Sequence, residues 1–328
     1  MKAHFGIDIG ATFVKYGAID PEGHILFAGR TPTRGGDGQD AALNAIVGCA
    51  KDLVQWANKS GHRPVSVGVG SPGTINPQTH VVQAPSPNIP VIVGVDFSQL
   101  IRRETGLPAV VDNDANCAAW GEYRFGAGRG IDNLICITVG SGLGSGFIID
   151  GRILSGPTGS GGELGHVTID WQGEQCPCGN RGCLETYVSA TALVRRASNA
   201  ARRHPDSLLA KRIDPTSQSV TVGALFGAAQ DSDPQAQQIL DESALQFAIG
   251  ILTAVNVVDP EAVIIGGGAS DADAATGGSW LAAIAGHIHR TAFSEAGKRL
   301  RIGRAVLGND AGFIGAAALG ARTAAESR

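Results

Sequence analysis

Short, continuous apolar runs alternate along the chain with longer segments whose apolar residues recur at helical spacing. Continuous runs predict strands that are buried on both faces. The first three predicted strands lie in HFGIDIGATFVKYGAIDPEGHIL, joined by a glycine turn and a tight turn. Further strands are predicted at 65–70, 108–111 and 262–265, and helices at 41–59, 97–105, 189–203 and 234–258. This alternation predicts an α/β fold with mixed sheets.

The layout of the opening hairpin returns near residue 134, in LICITVGSGLGSGFIIDGRIL. Gly10 and Asp20 in the first copy have the same spacing as Gly140 and Asp150 in the second. Such a repeat predicts two domains of one topology that face each other across a cleft. The alternative is a chance match between two hairpins with glycine turns.

Composition and charge narrow the class of protein. A length of 328 residues suits about two domains, and 43% hydrophobic residues can form a large core. A net charge of −4 with scattered Lys and Arg argues against a nucleic-acid surface. The apolar stretch 244–258 is too short to span a bilayer, and the N-terminus resembles no secretory signal. We therefore expect a soluble, cytoplasmic protein without nucleic-acid or membrane partners.

Four residues with the spacing His-x9-Cys-x-Cys-x4-Cys predict a metal site. They are His166, Cys176, Cys178 and Cys183. Three thiolates and an imidazole form the ligand set of a tetrahedral structural zinc site, which has no open position for catalysis. Disulfides are the alternative, but the local cysteine count is odd. The remaining cysteines, Cys49, Cys117 and Cys136, lie in apolar surroundings and are predicted to be reduced core residues.

Two carboxylates flank the predicted zinc segment, Glu163 three residues before His166 and Glu185 two after Cys183. In a helical turn Glu163 and His166 would share one face. Zinc on one imidazole nitrogen would leave the other as a fixed N–H donor. We predict that these side chains bind several hydroxyls of a polar ligand. The alternative is that both glutamates are surface residues beside a structural knuckle.

Three glycine turns at strand ends predict a nucleotide site. The first contains Asp8, Gly10 and Thr12, the second Gly140, Ser141 and Gly142, and the third Gly266, Gly267 and Gly268. Glycine lets backbone amides approach an anion, and Thr12 adds a hydroxyl donor. Asp8 offers oxygen ligands to Mg²⁺. The P-loop pattern GxxxxGK[ST] does not occur in the sequence.

Three polar residues, Asp112, Asn113 and Asp114, follow an apolar strand and precede a helix that begins near Ala115. Capping by Asn113 or Asp114 explains one polar residue there. A carboxylate beside a sugar hydroxyl would serve as a general base. Phosphoryl transfer needs little more than an oriented hydroxyl, a proton acceptor and charge neutralisation.

These motifs together resemble the ROK family (repressors, open reading frames and kinases), most closely its bacterial zinc-containing glucokinases. The resemblance spans essentially the whole chain and rests on DIGATFVKYGAID, DNDANCAAWGE, ITVGSGLGSGFIIDGRILSGPTGSGGELGH, CPCGNRGCLE, IIGGG and GNDAGFIGAA. It implies an actin-like ATPase (ribonuclease H-like) fold, with two similar α/β domains around a cleft. The expected domains are 1–118 plus 306–328, and 119–305.

The resemblance also implies ATP-dependent phosphorylation of a hexose at its 6-hydroxyl, converting glucose to glucose 6-phosphate with Asp114 as general base. Implied sugar-binding residues are Gly73, Asn88, Asn113, Asp114, Glu163, His166 and Glu185. Implied phosphate and Mg²⁺ residues are Asp8, Gly10, Thr12, Gly140, Ser141 and Gly142, with Gly266, Gly267 and Gly268 on the adenosine side. The implied cofactors are structural zinc, Mg²⁺ and ATP as phosphoryl donor, in a homodimer or homotetramer.

The sequence departs from the family pattern at three positions. Ala11 replaces the second glycine of the first turn, and Phe13 replaces a common lysine, for which Lys15 could partly substitute. Ile92 lies near the point where glucokinases often carry an aromatic residue. These departures leave several alternatives open.

One set of alternatives changes the substrate: N-acetylglucosamine, N-acetylmannosamine, mannose or fructose as the sugar, or polyphosphate as the donor. Another is a sugar-responsive repressor of the same family. We do not expect a repressor, because only four residues precede the first predicted strand and the sequence contains no basic DNA-recognition helix.

Overall fold

The computed structural model describes residues 1–83 and 89–326, and within them the chain has ten strands and eleven α-helices. The strands are β1 (Lys2–Ile9), β2 (Phe13–Ile19), β3 (Ile25–Pro32), β4 (Arg63–Ser71), β5 (Ala109–Asn113), β6 (Leu134–Val139), β7 (Leu143–Ile149), β8 (Arg152–Ile153), β9 (Ala262–Gly266) and β10 (Arg301–Arg304). The helices are α1 (Gln39–Lys59), α2 (Phe97–Thr105), α3 (Asp114–Phe125), α4 (Glu185–Val188), α5 (Ala190–Arg203), α6 (Val222–Gln230), α7 (Pro234–Val258), α8 (Gly268–Ala275), α9 (Ser279–Thr291), α10 (Glu295–Arg299) and α11 (Ala311–Glu326).

The two sheets share one strand order. The first is β3-β2-β1-β4-β5 and the second is β8-β7-β6-β9-β10. Strand directions also match between the two sheets. The pairs β2–β3 and β7–β8 are antiparallel, whereas the pairs β4–β5 and β9–β10 are parallel. The internal repeat predicted from the two glycine-turn hairpins is therefore confirmed as a repeat of topology.

Two compact units make up the chain. The first comprises Met1–Cys136, Gly146–Gly162 and Val306–Arg328, and the second comprises Ile137–Ser145 and Glu163–Ala305. The division passes through β6 and β7. The domains expected from the sequence, 1–118 plus 306–328 and 119–305, stay a prediction, because compactness does not test which segments fold independently.

The core of the first unit forms where helices pack on its sheet. Strand residues such as Phe5 and Val67 and helix residues such as Leu53 are fully buried in one hydrophobic cluster. Helix α11 lies so close to the strands that a Cβ atom at Gly68 would overlap the carbonyl of Ala316. Glycine at this position is therefore required by the close approach of two backbones.

A buried carboxylate fixes the segment that leads into α11. Glu122, near the end of α3, is fully buried. Its Oε1 accepts hydrogen bonds from the backbone N–H groups of Val306 (2.9 Å) and Leu307 (2.8 Å), and its Oε2 accepts one from Ala127 (2.8 Å). Three charge-assisted hydrogen bonds compensate the burial of this side chain.

The main predicted elements occur with small shifts at their ends. Helices α2 and α7 have the predicted limits, whereas β5 extends to Asn113 and α3 begins at Asp114. Cys49, Cys117 and Cys136 are buried free thiols, as predicted. Among the described residues, no helix is both long enough and apolar enough to cross a bilayer.

Candidate active site

Acidic side chains gather at one edge of the first sheet. Strands β1, β4 and β5 run parallel, and Asp8 pairs in register with Gly70, which pairs with Asp112. The three residues therefore form one row across neighbouring strands at their carboxyl ends. Asp114 follows at once as the first residue of α3. Asp8, predicted to bind Mg²⁺, and Asp114, predicted to be the general base, therefore lie at the same edge of this sheet.

Asn113 is the N-cap of α3, as one of the two capping predictions proposed. Its Oδ1 accepts hydrogen bonds from the backbone N–H groups of Ala115 (2.9 Å) and Asn116 (3.2 Å). Its Nδ2 donates to the carbonyl of Gly73 at 3.2 Å. Two predicted sugar-binding residues, Gly73 and Asn113, are thus joined directly. The Oδ1 of Asp114 accepts from Ala115 at 2.9 Å, which orients its carboxylate at the helix N-terminus.

Burial raises the pKa of Asp8 to about 7; the nearby charge of Asp114 adds to the rise and Lys15 opposes it. Burial also raises the pKa of Asp114, while the Ala115 N–H opposes that rise. A Cβ atom at Gly312 would lie 2.5 Å from Cγ of Asp8, so the first turn of α11 lies directly against this carboxylate. Gly312 belongs to the GNDAGFIGAA motif, but no function was predicted for this residue.

The raised pKa of Asp8 predicts a pH-dependent stability. Because the folded-state pKa is about 7 and the ordinary value is 3.8, ionisation of Asp8 costs stability progressively as the pH rises through this range. Without added Mg²⁺, we expect Asp8→Asn to raise the free energy of unfolding by about 2–4 kcal/mol at pH 8 and by much less at pH 5. Urea unfolding at both pH values measures the difference.

A matched control for this measurement is Asp40→Asn, because Asp40 is an exposed aspartate in the first turn of α1. It should lower stability by under about 1 kcal/mol, the usual contribution of a carboxylate at a helix N-terminus, and by a similar amount at both pH values. An Asp8→Asn effect of equal size at pH 5 and pH 8 would show that the charge of Asp8 carries no folding cost.

The first glycine turn is closed by a hydrogen bond from Gly10 N–H to the carbonyl of Phe13, at 3.0 Å. The buried Thr33, which sequence reasoning missed, donates its hydroxyl to the Gly10 carbonyl at 2.6 Å, and its N–H donates to Thr12 at 3.0 Å. Thr33 thereby stabilises the turn through two hydrogen bonds to its backbone carbonyls. It lies far along the chain in a segment without a motif, so no local signal pointed to it.

Phe13 stands where the family pattern commonly has a lysine, so the contacts of the nearby cationic side chains of Lys15 and Arg30 are of interest. Lys15 donates its ammonium group to the carbonyl of Asn309 at 2.9 Å. The Arg30 guanidinium lies 5.3 Å from the centroid of the Phe13 ring, a cation–π distance. Phe13 itself is 40% exposed. Arg30 therefore lies beside Phe13, the residue at the usual lysine position, whereas the ammonium group of Lys15 contacts Asn309.

The second and third glycine turns are neighbours within the second unit. Gly140 donates its N–H to the carbonyl of Gly142 at 3.0 Å. Gly267 has a φ of 88°, and a Cβ atom there would lie 2.7 Å from the backbone nitrogen and oxygen of Val139. The third turn, Gly266 to Gly268, thus lies beside the end of β6 that leads into Gly140 and Ser141. Its last residue begins α8.

The four predicted metal ligands come together in the second unit. One ligand atom from each of His166, Cys176, Cys178 and Cys183 lies within 4.8 Å of the others. The Sγ atoms of Cys178 and Cys183 are 3.7 Å apart, and Sγ of Cys176 is 3.9 Å from Nδ1 of His166. A zinc tetrahedron with bonds of about 2.0–2.3 Å has edges of about 3.4–3.8 Å. The donor set and its spacing therefore fit a zinc ion.

The predicted hydroxyl-binding residues of the second unit are His166, which belongs to this cluster, and two glutamates near its ligands in the chain, Glu163 and Glu185. His166 ends a short 3-10 turn, Leu164–His166, and turns Nδ1 toward Cys176, which leaves Nε2 for another partner. Glu163 caps that turn with its carbonyl, which accepts from His166 N–H at 3.1 Å. Glu185 opens α4, and its Oε2 accepts from the backbone N–H of Leu143 at 2.7 Å. Sequence reasoning missed Leu143.

Sequence-predicted residues are thus found in both units. Gly73, Asn113 and Asp114 lie in the first unit, and Glu163 and Glu185 lie in the second. Asn88, also predicted to bind sugar, lies outside the described residues.

Known proteins resemble this chain over nearly its full length. The ROK family model matches residues 4–323. Glucokinase of Streptomyces coelicolor is 36% identical over 97% of this chain and 98% of that protein. A ROK family glucokinase from Streptomyces griseus, solved in complex with glucose and AMPPNP, is 34% identical, with a TM-score of 0.82 and coverage of 98% and 99%. The xylose repressor of Caldicellulosiruptor bescii is 30% identical over 81% of this chain and 65% of the repressor.

These likenesses decide the fold class. ROK sugar kinases have the actin-like ATPase fold, and the Streptomyces griseus enzyme shares the architecture of this chain throughout, so the predicted fold class is confirmed. The family model covers all but a few residues at each end, and the identity to curated members extends over the same length. The chain therefore belongs to the ROK family.

Proposed function

We propose that the chain is an ATP-dependent sugar kinase that transfers the terminal phosphoryl group of ATP to the 6-hydroxyl of glucose. The products are glucose 6-phosphate and ADP. The observation that carries this proposal is a partly buried carboxylate, Asp114, at the start of α3 in a chain 36% identical to a glucokinase. The relative solved with glucose and AMPPNP supports both substrates.

Asp114 is proposed as the general base that accepts the proton of the 6-hydroxyl. Burial raises its pKa, which makes the ionised carboxylate a stronger proton acceptor than an exposed aspartate. The helix N-terminus and the Ala115 N–H hold the carboxylate in place. Phosphoryl transfer to an oriented hydroxyl needs no covalent protein intermediate.

Asp8 is proposed to hold Mg²⁺. The residues present fit this ion, because Asp8 and Asp114 are partly buried carboxylates whose mutual repulsion helps to raise the pKa of Asp8. A divalent cation with a preference for oxygen ligands would compensate that charge. When bound, it would supply charge neutralisation on the ATP phosphates. Gly10 and Thr12 in the first unit, and Gly140, Ser141 and Gly142 in the second, are proposed to offer backbone and hydroxyl donors to phosphate oxygens.

The sugar hydroxyls are proposed to bind Gly73, Asn88, Asn113, Glu163, His166 and Glu185. Zinc, held by His166 and three cysteines, would have a structural role because its four positions are filled by protein. The Nδ1 of His166 faces the thiolates, so its Nε2 would carry the proton and donate to a hydroxyl. Gly266, Gly267 and Gly268 would line the adenosine side. A homodimer or homotetramer stays a prediction.

The sugar and the donor are the parts of the proposal with alternatives. N-acetylglucosamine, N-acetylmannosamine, mannose and fructose are the alternative sugars, and polyphosphate is the alternative donor. Ile92, at the departure from the glucokinase pattern, is fully buried in the core of the first unit. Its side chain therefore contributes to packing there, and the preference for glucose depends on other residues.

Initial rates of ADP release across these five sugars test the proposal, with the consumption of polyphosphate measured in parallel. We expect the highest kcat/KM for glucose with ATP, in the range of about 10⁴–10⁸ M⁻¹s⁻¹ that is ordinary for enzymes. A higher kcat/KM for an N-acetylhexosamine than for glucose would show that the N-acetylhexosamine is the preferred substrate. ADP release that no sugar stimulates would contradict the kinase function itself.

A further inference from the structure

At one end of the metal-ligand segment, Glu185 contacts the second glycine turn and Leu143, the residue that follows it. At the other end, Leu164 and Gly165 contact Ser145 and Leu143, which belong to the first residues of β7. All of these residues lie within the second unit. The segment from Glu163 to Glu185 was predicted to bind sugar, and the turn was predicted to bind phosphate. A few hydrogen bonds therefore link the predicted sugar-binding segment to the predicted phosphate-binding turn and the strand that follows it.

Glu185 provides the contact at one end of the segment. Its Oε2 accepts the backbone N–H of Leu143 at 2.7 Å, a short charge-assisted hydrogen bond. A Cβ atom at Gly142 would lie 2.5 Å from the same oxygen, so the carboxylate lies directly against the turn. Five residues later, Ala190 N–H donates to the carbonyl of Gly140 at 2.8 Å. The turn is therefore held at both of its ends by residues 185–190.

The other end of the segment contacts the strand that leaves the turn. Leu164 N–H donates to the hydroxyl of Ser145 at 3.1 Å, and both groups are buried. A Cβ atom at Gly165 would lie 3.3 Å from the Cβ of Leu143, so this backbone packs against the same residue whose N–H binds Glu185. Leu143 is thus enclosed from two sides by residues that adjoin His166 and Cys183.

We propose that Glu185 is a positioning residue that couples sugar binding to nucleotide binding by fixing the second glycine turn. This inference rests on the proposed function, and it deepens that function by assigning Glu185 a second role. One carboxylate oxygen is held by Leu143, and the other remains for a sugar hydroxyl. A hydroxyl that orders the carboxylate also orders the turn, and thermodynamic linkage makes the effect reciprocal.

The experiment measures the Kd of Mg²⁺-AMPPNP by titration calorimetry with and without saturating glucose. In the wild type, we expect glucose to tighten AMPPNP binding by at least fivefold, the lower end of ordinary coupling. In Glu185→Ala, we expect AMPPNP without glucose to bind about tenfold more weakly, since a hydrogen bond to a charged group is lost. We also expect glucose to change that Kd by less than twofold.

Two further variants separate positioning from general damage. In Glu185→Gln the amide oxygen can still accept the Leu143 N–H, so the Kd of AMPPNP should return to within about threefold of wild type while glucose binds more weakly. Glu174→Ala is the matched control, because Glu174 is an exposed carboxylate of the same segment that pairs with Arg195. It should change neither the Kd nor the coupling. Zinc content, measured for each variant, should stay at one ion per chain.

The proposal is overturned if Glu185→Ala weakens glucose binding but leaves both the AMPPNP Kd and the glucose effect within twofold of wild type. It is also overturned if Glu185→Gln weakens AMPPNP as much as Glu185→Ala does. A wild-type protein that binds neither glucose nor AMPPNP would instead contradict the proposed function.

Discussion

Replacing Asp114 by asparagine is expected to lower kcat for glucose phosphorylation by about 10²–10⁴-fold, the usual contribution of a general base. Asparagine has the same shape but cannot accept the hydroxyl proton. Its amide oxygen can keep the hydrogen bond to Ala115, now 2.9 Å long. Since burial already disfavours a charge at this position, the neutral side chain should fold well. Glucose affinity should therefore stay within about threefold of wild type.

The matched control is Asp112→Asn, the same change two residues away. Asp112 is also partly buried, and its Oδ1 accepts from Asn113 N–H (2.7 Å) and Asn116 Nδ2 (2.8 Å), bonds that an asparagine oxygen can keep. We expect its kcat within about tenfold of wild type. If Asp114→Asn turned over glucose as fast as Asp112→Asn, Asp114 would not be the base.

The second large effect is expected from loss of the metal ligands. Elemental analysis should find one zinc per chain in the wild type and less than about 0.1 in Cys183→Ser. A ligand present at a thousandfold excess over its Kd stabilises a fold by about 4 kcal/mol. The melting temperature of Cys183→Ser should then fall by about 8–16 °C. Glucose affinity should fall as well, because Glu185 and His166 depend on the cluster for their positions.

Cys49→Ser is the matched control for the metal. Cys49 is a buried thiol of α1 whose Sγ donates to the carbonyl of Ala45 at 3.2 Å, a bond that a serine hydroxyl can keep. It should retain one zinc and melt within about 3 °C of wild type. A wild-type preparation that contains no zinc yet melts and turns over as the zinc-containing protein does would contradict the structural role of the metal.

The parts of the fold that were predictable from sequence are those with local causes. Continuous apolar runs predicted β1 and β9. The shared spacing of Gly10–Asp20 and Gly140–Asp150 predicted two domains of one topology, and the two sheets have the same strand order. The metal cluster was predictable because its four ligands lie within eighteen residues. Capping of α3 by Asn113 or Asp114 was predicted from their position between a strand and a helix, and the structure has Asn113 as the cap.

The parts that escaped prediction depend on contacts between distant segments. Thr33 supports Gly10 across 23 residues, and Gly312 makes room for Asp8 across some 300. The hydrogen bond between Glu185 and Leu143 spans 42 residues and uses a backbone N–H, which carries no sequence signature. Side-chain periodicity reports burial, but it does not report which loop a buried carboxylate will meet.

The most direct test of the proposed function is the identity of its product. Purified protein with Mg²⁺, ATP and glucose should form glucose 6-phosphate, detected through NADPH production by glucose 6-phosphate dehydrogenase, in a one-to-one ratio with ADP. The same assay with Asp114→Asn should lose both signals together. ADP formed without glucose 6-phosphate, or glucose 6-phosphate formed equally by Asp114→Asn, would contradict a glucose kinase that uses Asp114 as its base.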